Sequence, residues 1–290
     1  MNAQTTTHVL FGTDELDGWL REDIGYFDLT SAVLEIGDRP ARIAWKARGP
    51  VVAACTEEIV RLLAQRQVVQ IRHAASGKVL QAGDALIEAE GPAQALLDVW
   101  KVGQNLLEYA CGVATRTHEL VRAVHAVDPR VGVLTTRKHP PGLRRVAIKA
   151  TRAGGAWPHR LGLSETVVVF PQHRALLPEG GWASIRETLT RNAPGLAEKK
   201  IVIEAATLEE AELAVQAGAD VIQFDKVMPE QLAPWCTHLR NRWPHLKILA
   251  AGGIRHDNAT GYAASGVDAL VTSSLYYGAP ADIGVTLTPG

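Results

Sequence analysis

The sequence predicts an α/β protein in which a mixed N-terminal domain is followed by an incomplete (β/α) barrel. Its 290 residues are enough for about two ordinary domains or one barrel with an extension. Hydrophobic residues make up 47% and charged residues 21%, which is typical of a globular protein and excludes disordered, collagen-like and coiled-coil architectures. After residue 130, short β-branched runs alternate with helical stretches, which predicts parallel strands covered by helices.

The first hundred residues mix helix and strand patterns. Residues 14–20 and 56–65 predict helices, the second one capped by Thr56. Alternating apolar and polar residues predict strands over 41–47, 51–55, 67–73 and 79–90. From residue 92 to about 127, apolar residues at helical spacing predict one long connecting helix, with Gly112 as its candidate break.

The second part of the chain predicts the barrel. Its six strand-like runs are 131–136, 166–170, 200–204, 220–224, 246–250 and 268–272. Six βα-type units are two fewer than the eight of a standard barrel, so we expect an incomplete (β/α) barrel, with an open doubly wound sheet as the alternative.

The formal net charge of −1 hides an uneven distribution of charge. Residues 116–174 hold eleven Lys/Arg and three Asp/Glu, whereas the rest of the chain holds 19 and 28. No helix-turn-helix, zinc-finger or interleaved aromatic pattern accompanies the basic segment, and the pI is about 6.8. The expected partners are therefore small anionic molecules rather than nucleic acid.

Cysteine usage and hydropathy predict a cytoplasmic protein without a membrane partner. Cys55, Cys111 and Cys236 are far apart, so we expect buried reduced thiols and neither a disulfide framework nor a structural zinc site. The N-terminus lacks the pattern of a signal peptide, and no apolar run reaches the roughly 18 residues of a membrane span.

Polar and glycine residues follow the strand-like runs. They are Arg137, Lys138 and His139; Pro171, Gln172 and His173; Glu204; Asp225 and Lys226; Gly252 and Gly253; and Ser273 and Ser274. Ligands of parallel α/β proteins bind at the carboxyl ends of strands, so we expect these residues at one ligand-binding rim.

Two kinds of anion-binding group are predicted at this rim. Gly252–Gly253 and Ser273–Ser274 offer backbone N–H groups to a phosphate. Arg137–Lys138 and His159–Arg160 adjoin rigid Gly- and Pro-rich turns, which suits a clamp for carboxylate or phosphate.

Glu204 and Asp225 are expected side by side on successive strands. Carboxylates there can hold sugar hydroxyls, bind Mg²⁺ or stabilise a cationic transition state, and the alternative is a structural salt bridge to Lys226 or Arg137. Together with the anion-binding groups, they suit a phosphorylated sugar that reacts with an acidic small molecule.

At these residues the sequence resembles the nicotinate-nucleotide pyrophosphorylase (quinolinate phosphoribosyltransferase) family over nearly its whole length. The shared motifs are Glu22–Gly25, Asp28–Ser31, Thr136–Lys138, Pro141–Arg144, Gly154–Gly155, His159–Ser164, Glu204, Asp225, Gly252–Ile254 and Ala279–Pro280. The two blocks within 136–164 are the most specific and look most like the ModD subgroup of molybdenum-transport operons.

The resemblance implies two domains and an oligomer. An N-terminal α/β sandwich would span 1–112 and be joined by the C-terminal tail 276–290, and 113–275 would form an open (β/α) barrel. The family resemblance also implies a homodimer or a larger assembly in which a neighbouring copy completes each active site.

The resemblance further implies a pentosyltransferase reaction. Phosphoribose passes from phosphoribosyl pyrophosphate, with Mg²⁺, to the nitrogen of quinolinate, and decarboxylation follows. Carried over to this chain, the catalytic residues are Glu204, Asp225 and Lys138, and the two carboxylates also serve the metal. The substrate-binding residues are Arg137, Lys138, His159, Arg160, Lys101 and His173, and the 5′-phosphate would lie on Gly252, Gly253, Ser273 and Ser274.

Several positions depart from the family pattern. Where the family has Lys-Asp-Asn-His, this chain has Phe170-Pro171-Gln172-His173, so a cation is replaced by an aromatic ring. Lys101 stands for an arginine, Ala251 for a serine and Ser273 for a glycine. We therefore expect an acidic heteroaromatic acceptor that need not be quinolinate, and the sequence leaves decarboxylation open.

Two other functions remain open from the sequence. A non-catalytic protein that binds molybdate, another oxyanion or a metabolite would use the same cations. A lyase or aldolase would form a Schiff base between its substrate and Lys138 or Lys226. The paired carboxylates favour the phosphoribosyltransferase, because anion capture alone does not need them.

Overall fold

The computed structural model describes residues 8–178 and 181–290. The first elements in chain order are α1 (Thr13–Ile24), α2 (Leu29–Leu34), β1 (Pro40–Ala47), β2 (Val51–Val52), α3 (Thr56–Gln65), β3 (Gln70–His73), β4 (Val79–Leu80), β5 (Ala85–Pro92) and α4 (Ala93–Val127). They are followed by β6 (Gly132–Thr135), α5 (Arg144–Ala153), β7 (Trp157–Pro158), β8 (Val167–Val169), α6 (Pro171–Arg174) and α7 (Trp182–Asn192). A 3₁₀ turn (Ala193–Leu196) leads to β9 (Ile201–Ala205), α8 (Leu208–Gln216), β10 (Val221–Asp225), α9 (Pro229–Arg242), β11 (Lys247–Ala251), α10 (Ala259–Ala264), β12 (Ala269–Thr272) and β13 (Ile283–Pro289).

The chain divides into two compact units, and the fold class is the predicted one. Unit 1 comprises the described residues up to 119 together with 139–155 and 275–290, and unit 2 comprises 120–138 and 156–274. The predicted boundary at residue 113 leaves 139–155 in the barrel, whereas in the structure these residues contact unit 1.

Unit 1 is built on a four-stranded antiparallel sheet with the order β13-β1-β5-β3. Strand β1 buries alternate residues, as its sequence pattern predicts, and Trp45 at its centre is fully buried. The predicted helix over 56–65 is confirmed, but the expected cap is wrong. Thr56 is the first helical residue, and its hydroxyl donates to the Ala74 carbonyl at 2.7 Å instead of capping the helix.

Helix α4 is continuous, so Gly112 does not break it. A Cβ atom at Gly112 would lie 3.0 Å from the Ala281 backbone nitrogen and 3.2 Å from the Ala279 carbonyl oxygen. Gly112 therefore allows the backbone of residues 279–281 to lie against the helix. This segment comes shortly before β13, which pairs with β1.

Unit 2 contains a seven-stranded parallel sheet with the order β7-β6-β12-β11-β10-β9-β8. All six predicted strand runs are strands, and the short β7 at one edge was not predicted. An apolar cluster that includes Val202, Val221, Leu249 and Val271 fills one face of this sheet, and Phe170 packs against it. The sheet brings the carboxyl ends of its strands to one rim.

The three cysteines are free and buried, as predicted. Within the described ranges, no helix combines the length and the apolar character that crossing a membrane requires.

Candidate active site

A cavity of about 590 Å³ lies in unit 2 at the carboxyl ends of the parallel strands. Its volume is in the range of small-molecule sites. The predicted site residues that line it are Arg137, Lys138, His159, Arg160, Glu204, Asp225, Gly252, Gly253, Ser273 and Ser274. Residues from the ends of six of the seven unit 2 strands thus surround one space, and Phe170 represents the seventh.

Cations occupy the part of the rim formed by β6 and β7. The backbone N–H of Lys138 donates to Thr136 Oγ1 at 3.1 Å, and that of His159 donates to the Thr135 carbonyl at 2.9 Å, which fixes both loops. Burial, followed by the neighbouring Arg160, lowers the pKa of His159. Burial and then Arg137 lower the pKa of Arg160. The Arg160 shift indicates that its guanidinium lies near that of Arg137, an arrangement that an anion would stabilise, whereas the His159 shift favours the neutral form of its ring.

Carboxylates occupy the part of the rim formed by β9 and β10. Glu204 on β9 pairs in register with Gln223 on β10, and the Gln223 side-chain amide donates to Glu204 Oε2 at 3.1 Å. Burial, and then the charge of Asp225, raise the pKa of Glu204. Across the described residues neither Glu204 nor Asp225 forms an ion pair, so the salt-bridge alternative for these two side chains is wrong.

The glycine pair follows β11 and fits tightly beside the carboxylates. Gly252 has a φ of +84°, and a Cβ atom there would lie 2.5 Å from Asp225 Oδ1 and 2.7 Å from the Lys226 backbone nitrogen. Only glycine allows this approach. Gly253 has a φ of +72° but open space beside its Cα. Helix α10 begins only at Ala259, so the pair belongs to a turn and not to a helix N-terminus.

The serine pair follows β12. Its strand ends in Thr272, whose buried hydroxyl donates to the Ile254 carbonyl at 2.7 Å and accepts from the Ser274 backbone N–H at 3.1 Å. The backbone N–H of Ser274 is therefore engaged within its own loop, and the expectation that it is free for a phosphate is wrong. The Ser274 hydroxyl lies 2.9 Å from that of Thr272.

Two predicted substrate-binding residues are not among the cavity-lining residues. Lys101 lies on α4 in unit 1, where its ammonium is 4.6 Å from the centre of the Trp100 ring. His173 is exposed on α6, and its ring stacks on Phe170 with centroids 5.6 Å apart.

Sequence reasoning missed Gln223 and Arg255, which also line the cavity. Gln223 is 5% exposed, and in the described part of the chain its Oε1 is buried without a hydrogen-bond partner. The signal that could have found it is a polar residue within an otherwise apolar strand run. Arg255 follows the glycine pair and is exposed, with its guanidinium 3.2 Å from Asp257.

Much of the charge of the basic segment is structural. Ion pairs hold Arg130 with Asp128, Arg145 with Glu15, Lys149 with Glu57 and Glu58, and Arg174 with Glu210. Lys149 is buried. By contrast, no ion pair within the described ranges involves Arg137, Lys138 or Arg160, whose side chains line the cavity.

Comparisons with known proteins agree with this fold. The family model described as "Quinolinate phosphoribosyl transferase, C-terminal domain" matches residues 113–286, and the one for the N-terminal domain matches 28–111. A Rhodobacter capsulatus protein whose name, pyrophosphorylase ModD, is provisional is 40% identical over 240 residues, covering 83% of this chain and 91% of its own. The human nicotinate-nucleotide pyrophosphorylase [carboxylating] is 31% identical, covering 92% of this chain and 88% of its own. The crystal structure of NadC from Streptococcus pyogenes superposes with a TM-score of 0.84 at 26% identity, covering 95% of this chain and 97% of its own.

Proposed function

The chain belongs to the quinolinate phosphoribosyltransferase family, and we propose that it transfers phosphoribose from phosphoribosyl pyrophosphate to an acidic heteroaromatic acceptor, releasing pyrophosphate. One observation carries the proposal. Unpaired cations from the ends of β6 and β7 and paired carboxylates from the ends of β9 and β10 line the same cavity. Transfer of a sugar from pyrophosphate needs both, because negative charge grows on the leaving group while positive charge grows on the sugar.

The cations serve the anionic groups of the substrates. Arg137 and Arg160 offer planar guanidinium groups that match a carboxylate or a pyrophosphate, and Lys138 adds a mobile point charge. Because backbone hydrogen bonds hold the two loops that carry these groups, little reorganisation of the loops would be needed when pyrophosphate leaves. The loops after β11 and β12, with Gly253 and Ser273, would receive the 5′-phosphate.

The carboxylates serve the sugar. Glu204 and Asp225 would hold ribose hydroxyls and stabilise the oxocarbenium-like transition state through their negative charge. The amide of Gln223 donates to Glu204 and so favours its ionised form in a partly buried site.

The donor set at the rim fits a Mg²⁺ ion carried by the substrate. Among the described residues no group of three His, Cys, Asp or Glu side chains could hold a metal ion, so a complete protein cage is absent there. Mg²⁺ commonly binds one or two carboxylates together with substrate phosphates, and Glu204 and Asp225 would supply those carboxylates. The ion would neutralise charge on pyrophosphate.

The proposal is tested by pyrophosphate release with phosphoribosyl pyrophosphate, Mg²⁺ and a panel of pyridine and other heteroaromatic acids. Arg137→Ala and Arg160→Ala should each lower turnover about 100-fold or more, because each removes a cation from the cavity. Arg130→Ala is the matched control, since it removes an arginine of the same basic segment that is 89% exposed and pairs with Asp128. Full activity in both cavity variants would refute the site assignment.

Non-catalytic capture of molybdate or another oxyanion is the alternative that the cation cluster would also support. It predicts tight molybdate binding that Arg137→Ala abolishes, together with no pyrophosphate release for any acceptor. Turnover with any acceptor excludes it as the primary function.

We also propose that the chain forms a homodimer or a larger homo-oligomer. Large apolar side chains are exposed around α2, where Leu29 is 65%, Val33 71% and Leu34 58% exposed, next to Tyr26 and Phe27. An apolar patch of this kind is typical of a protein–protein interface. Light scattering should give at least twice the 31.2 kDa chain mass, and Val33→Glu should reduce it.

A further inference from the structure

The end of β8 supplies the one large aromatic side chain among the residues that line the cavity in the described chain. Phe170 packs on the apolar cluster of the sheet and is held at its backbone, where its N–H donates to His173 Nδ1 at 2.9 Å. The His173 ring stacks on Phe170 at an interplanar angle of 25°. Phe170 is thus a fixed apolar wall of the cavity and not a loose side chain.

The neighbourhood of this wall offers no positive charge to a ligand. His173 accepts a hydrogen bond through Nδ1, and a ring nitrogen that accepts carries no proton. The nearby arginine, Arg174, is occupied, because both terminal nitrogens lie 3.1 Å from Glu210 Oε1 and its guanidinium lies over the Trp182 ring at 4.4 Å. On the other side of β8, strand β9 contributes the negative charge of Glu204.

The positive charge of the cavity therefore comes from strand ends other than those of β8 and β9. Arg137, Lys138 and Arg160 follow β6 and β7, whereas Lys226 follows β10 and Arg255, which pairs with Asp257, follows β11. An acceptor carboxylate that binds Arg137, Lys138 and Arg160 would leave part of its ring against Phe170. A second carboxylate on that part of the ring would lose water without gaining a cation and would face Glu204.

We infer that Phe170 selects a heteroaromatic acceptor with a single carboxylate, which is transferred to the ribose without loss of CO₂. This inference rests on the proposed phosphoribosyltransferase function. The lone pair of the acceptor ring nitrogen forms the new bond to C1 of the ribose. The bond from C1 to the pyrophosphate oxygen breaks, and its electron pair leaves with pyrophosphate. No proton and no carboxylate leave, so the product is a mononucleotide that keeps its acid group.

Two probes that differ by one carboxylate test this inference. Pyridine-3-carboxylate and pyridine-2,3-dicarboxylate are compared by calorimetric binding in the presence of pyrophosphate and Mg²⁺, and by turnover with phosphoribosyl pyrophosphate. The wild-type protein should favour the monocarboxylate by about 100-fold in kcat/KM, with a product that retains the acid by mass spectrometry. Phe170→Lys should reverse the preference, because it places a cation on the wall that now has none.

Matched variants separate charge from shape. Phe170→Leu keeps an apolar side chain and should keep the monocarboxylate preference. The acceptor should bind more weakly to this variant, because its ring loses an aromatic contact with Phe170. Leu163→Lys adds the same charge at a residue that is 74% exposed and outside the cavity lining, and it should leave the preference unchanged.

The outcomes also separate this inference from the proposed function. Turnover of the dicarboxylate at an equal or higher kcat/KM overturns the inference and leaves the phosphoribosyltransferase intact. A preference that Phe170→Lys does not change overturns it as well. Absence of pyrophosphate release with every acceptor in the panel overturns both.

Discussion

Removing the buried ammonium group of Lys149 should destabilise unit 1 by about 3–4 kcal/mol. Lys149 Nζ lies 2.6 Å from Glu58 Oε2 and 2.8 Å from Glu57 Oε2, and the side chains of Lys149 and Glu58 are each only 4% exposed. The substitution Lys149→Met keeps a side chain of similar length and removes its charge. Two carboxylates then remain without their cation, and leaving a buried charge unpaired costs about 3–5 kcal/mol.

The Glu57 carboxylate gives a second measure of the same energy. Burial tends to raise its pKa, but hydrogen bonds from Lys149 and Ser76 lower the pKa from the ordinary 4.5 to about 2. This difference corresponds to about 3 kcal/mol at neutral pH as an upper bound. Because the side chain is 36% exposed, solvent screening reduces the contribution to about 1–2 kcal/mol, and the more deeply buried Glu58 supplies the remainder.

The pH dependence follows from the direction of the Glu57 shift. A carboxylate whose pKa is lowered by folding stabilises the folded state fully above the unfolded-state value of 4.5, and this contribution is lost as the pH falls toward 2. The wild-type protein should therefore lose its advantage over Lys149→Met progressively below about pH 4.5.

Thermal unfolding monitored by circular dichroism measures the effect. At neutral pH, Lys149→Met should lower the Tm by about 10 °C, and acidification should narrow the gap. Arg145→Met is the control, since Arg145 pairs with Glu15 at 2.6 Å but is 54% exposed and should cost less than about 1 kcal/mol. The double variant Lys149→Met/Glu58→Gln should recover part of the loss. A Tm for Lys149→Met equal to that of Arg145→Met, or a gap that widens in acid, would refute this reasoning.

Two further predictions concern the cavity. Gly252→Ala should lower turnover by about 100-fold, because its Cβ would collide with Asp225. Gly253→Ala carries a similar positive-φ strain without the collision, so its turnover should fall much less. Equal losses of turnover in the two variants, measured by pyrophosphate release, would contradict the close-contact argument. Gln223→Met should move the acidic limb of the kcat/KM profile to higher pH, because Glu204, whose pKa burial and Asp225 already raise, loses a hydrogen bond that favours its ionised form. Lys138 and Arg174, the cations that counteract this rise, are unchanged in that variant, so an unmoved limb would show that Gln223 does not act through Glu204.

The secondary structure was largely predictable, because hydrophobic periodicity reports burial directly. The six strand runs of unit 2 are almost continuously apolar, since both faces of a parallel sheet are covered. Strand β7 escaped prediction because it has only two residues, Trp157 and Pro158. Gly112 suggested a helix break on propensity alone, and only the three-dimensional structure shows that a backbone segment packs against it.

The rim residues were predictable for a topological reason, and the residues below the rim were not. Every residue that directly follows a parallel strand lies at the same edge of the sheet, so Arg137, Glu204 and Gly252 could be grouped without coordinates. Gln223 lies inside a strand, where its role depends on which neighbour shares its register. That neighbour is Glu204, and only the three-dimensional structure shows that the pairing of β9 with β10 places it beside Gln223.

Net charge along the sequence located the functional segment but did not distinguish its functional cations. Lys149 and Arg174 belong to the same basic segment as Arg137, yet each is held by a carboxylate from another element. A cation that is already paired has little attraction left for a ligand, whereas the unpaired and partly buried Arg137 and Arg160 keep theirs. The difference depends on acidic residues distant in sequence, Glu58 and Glu210, so it follows from the fold and not from the local charge count.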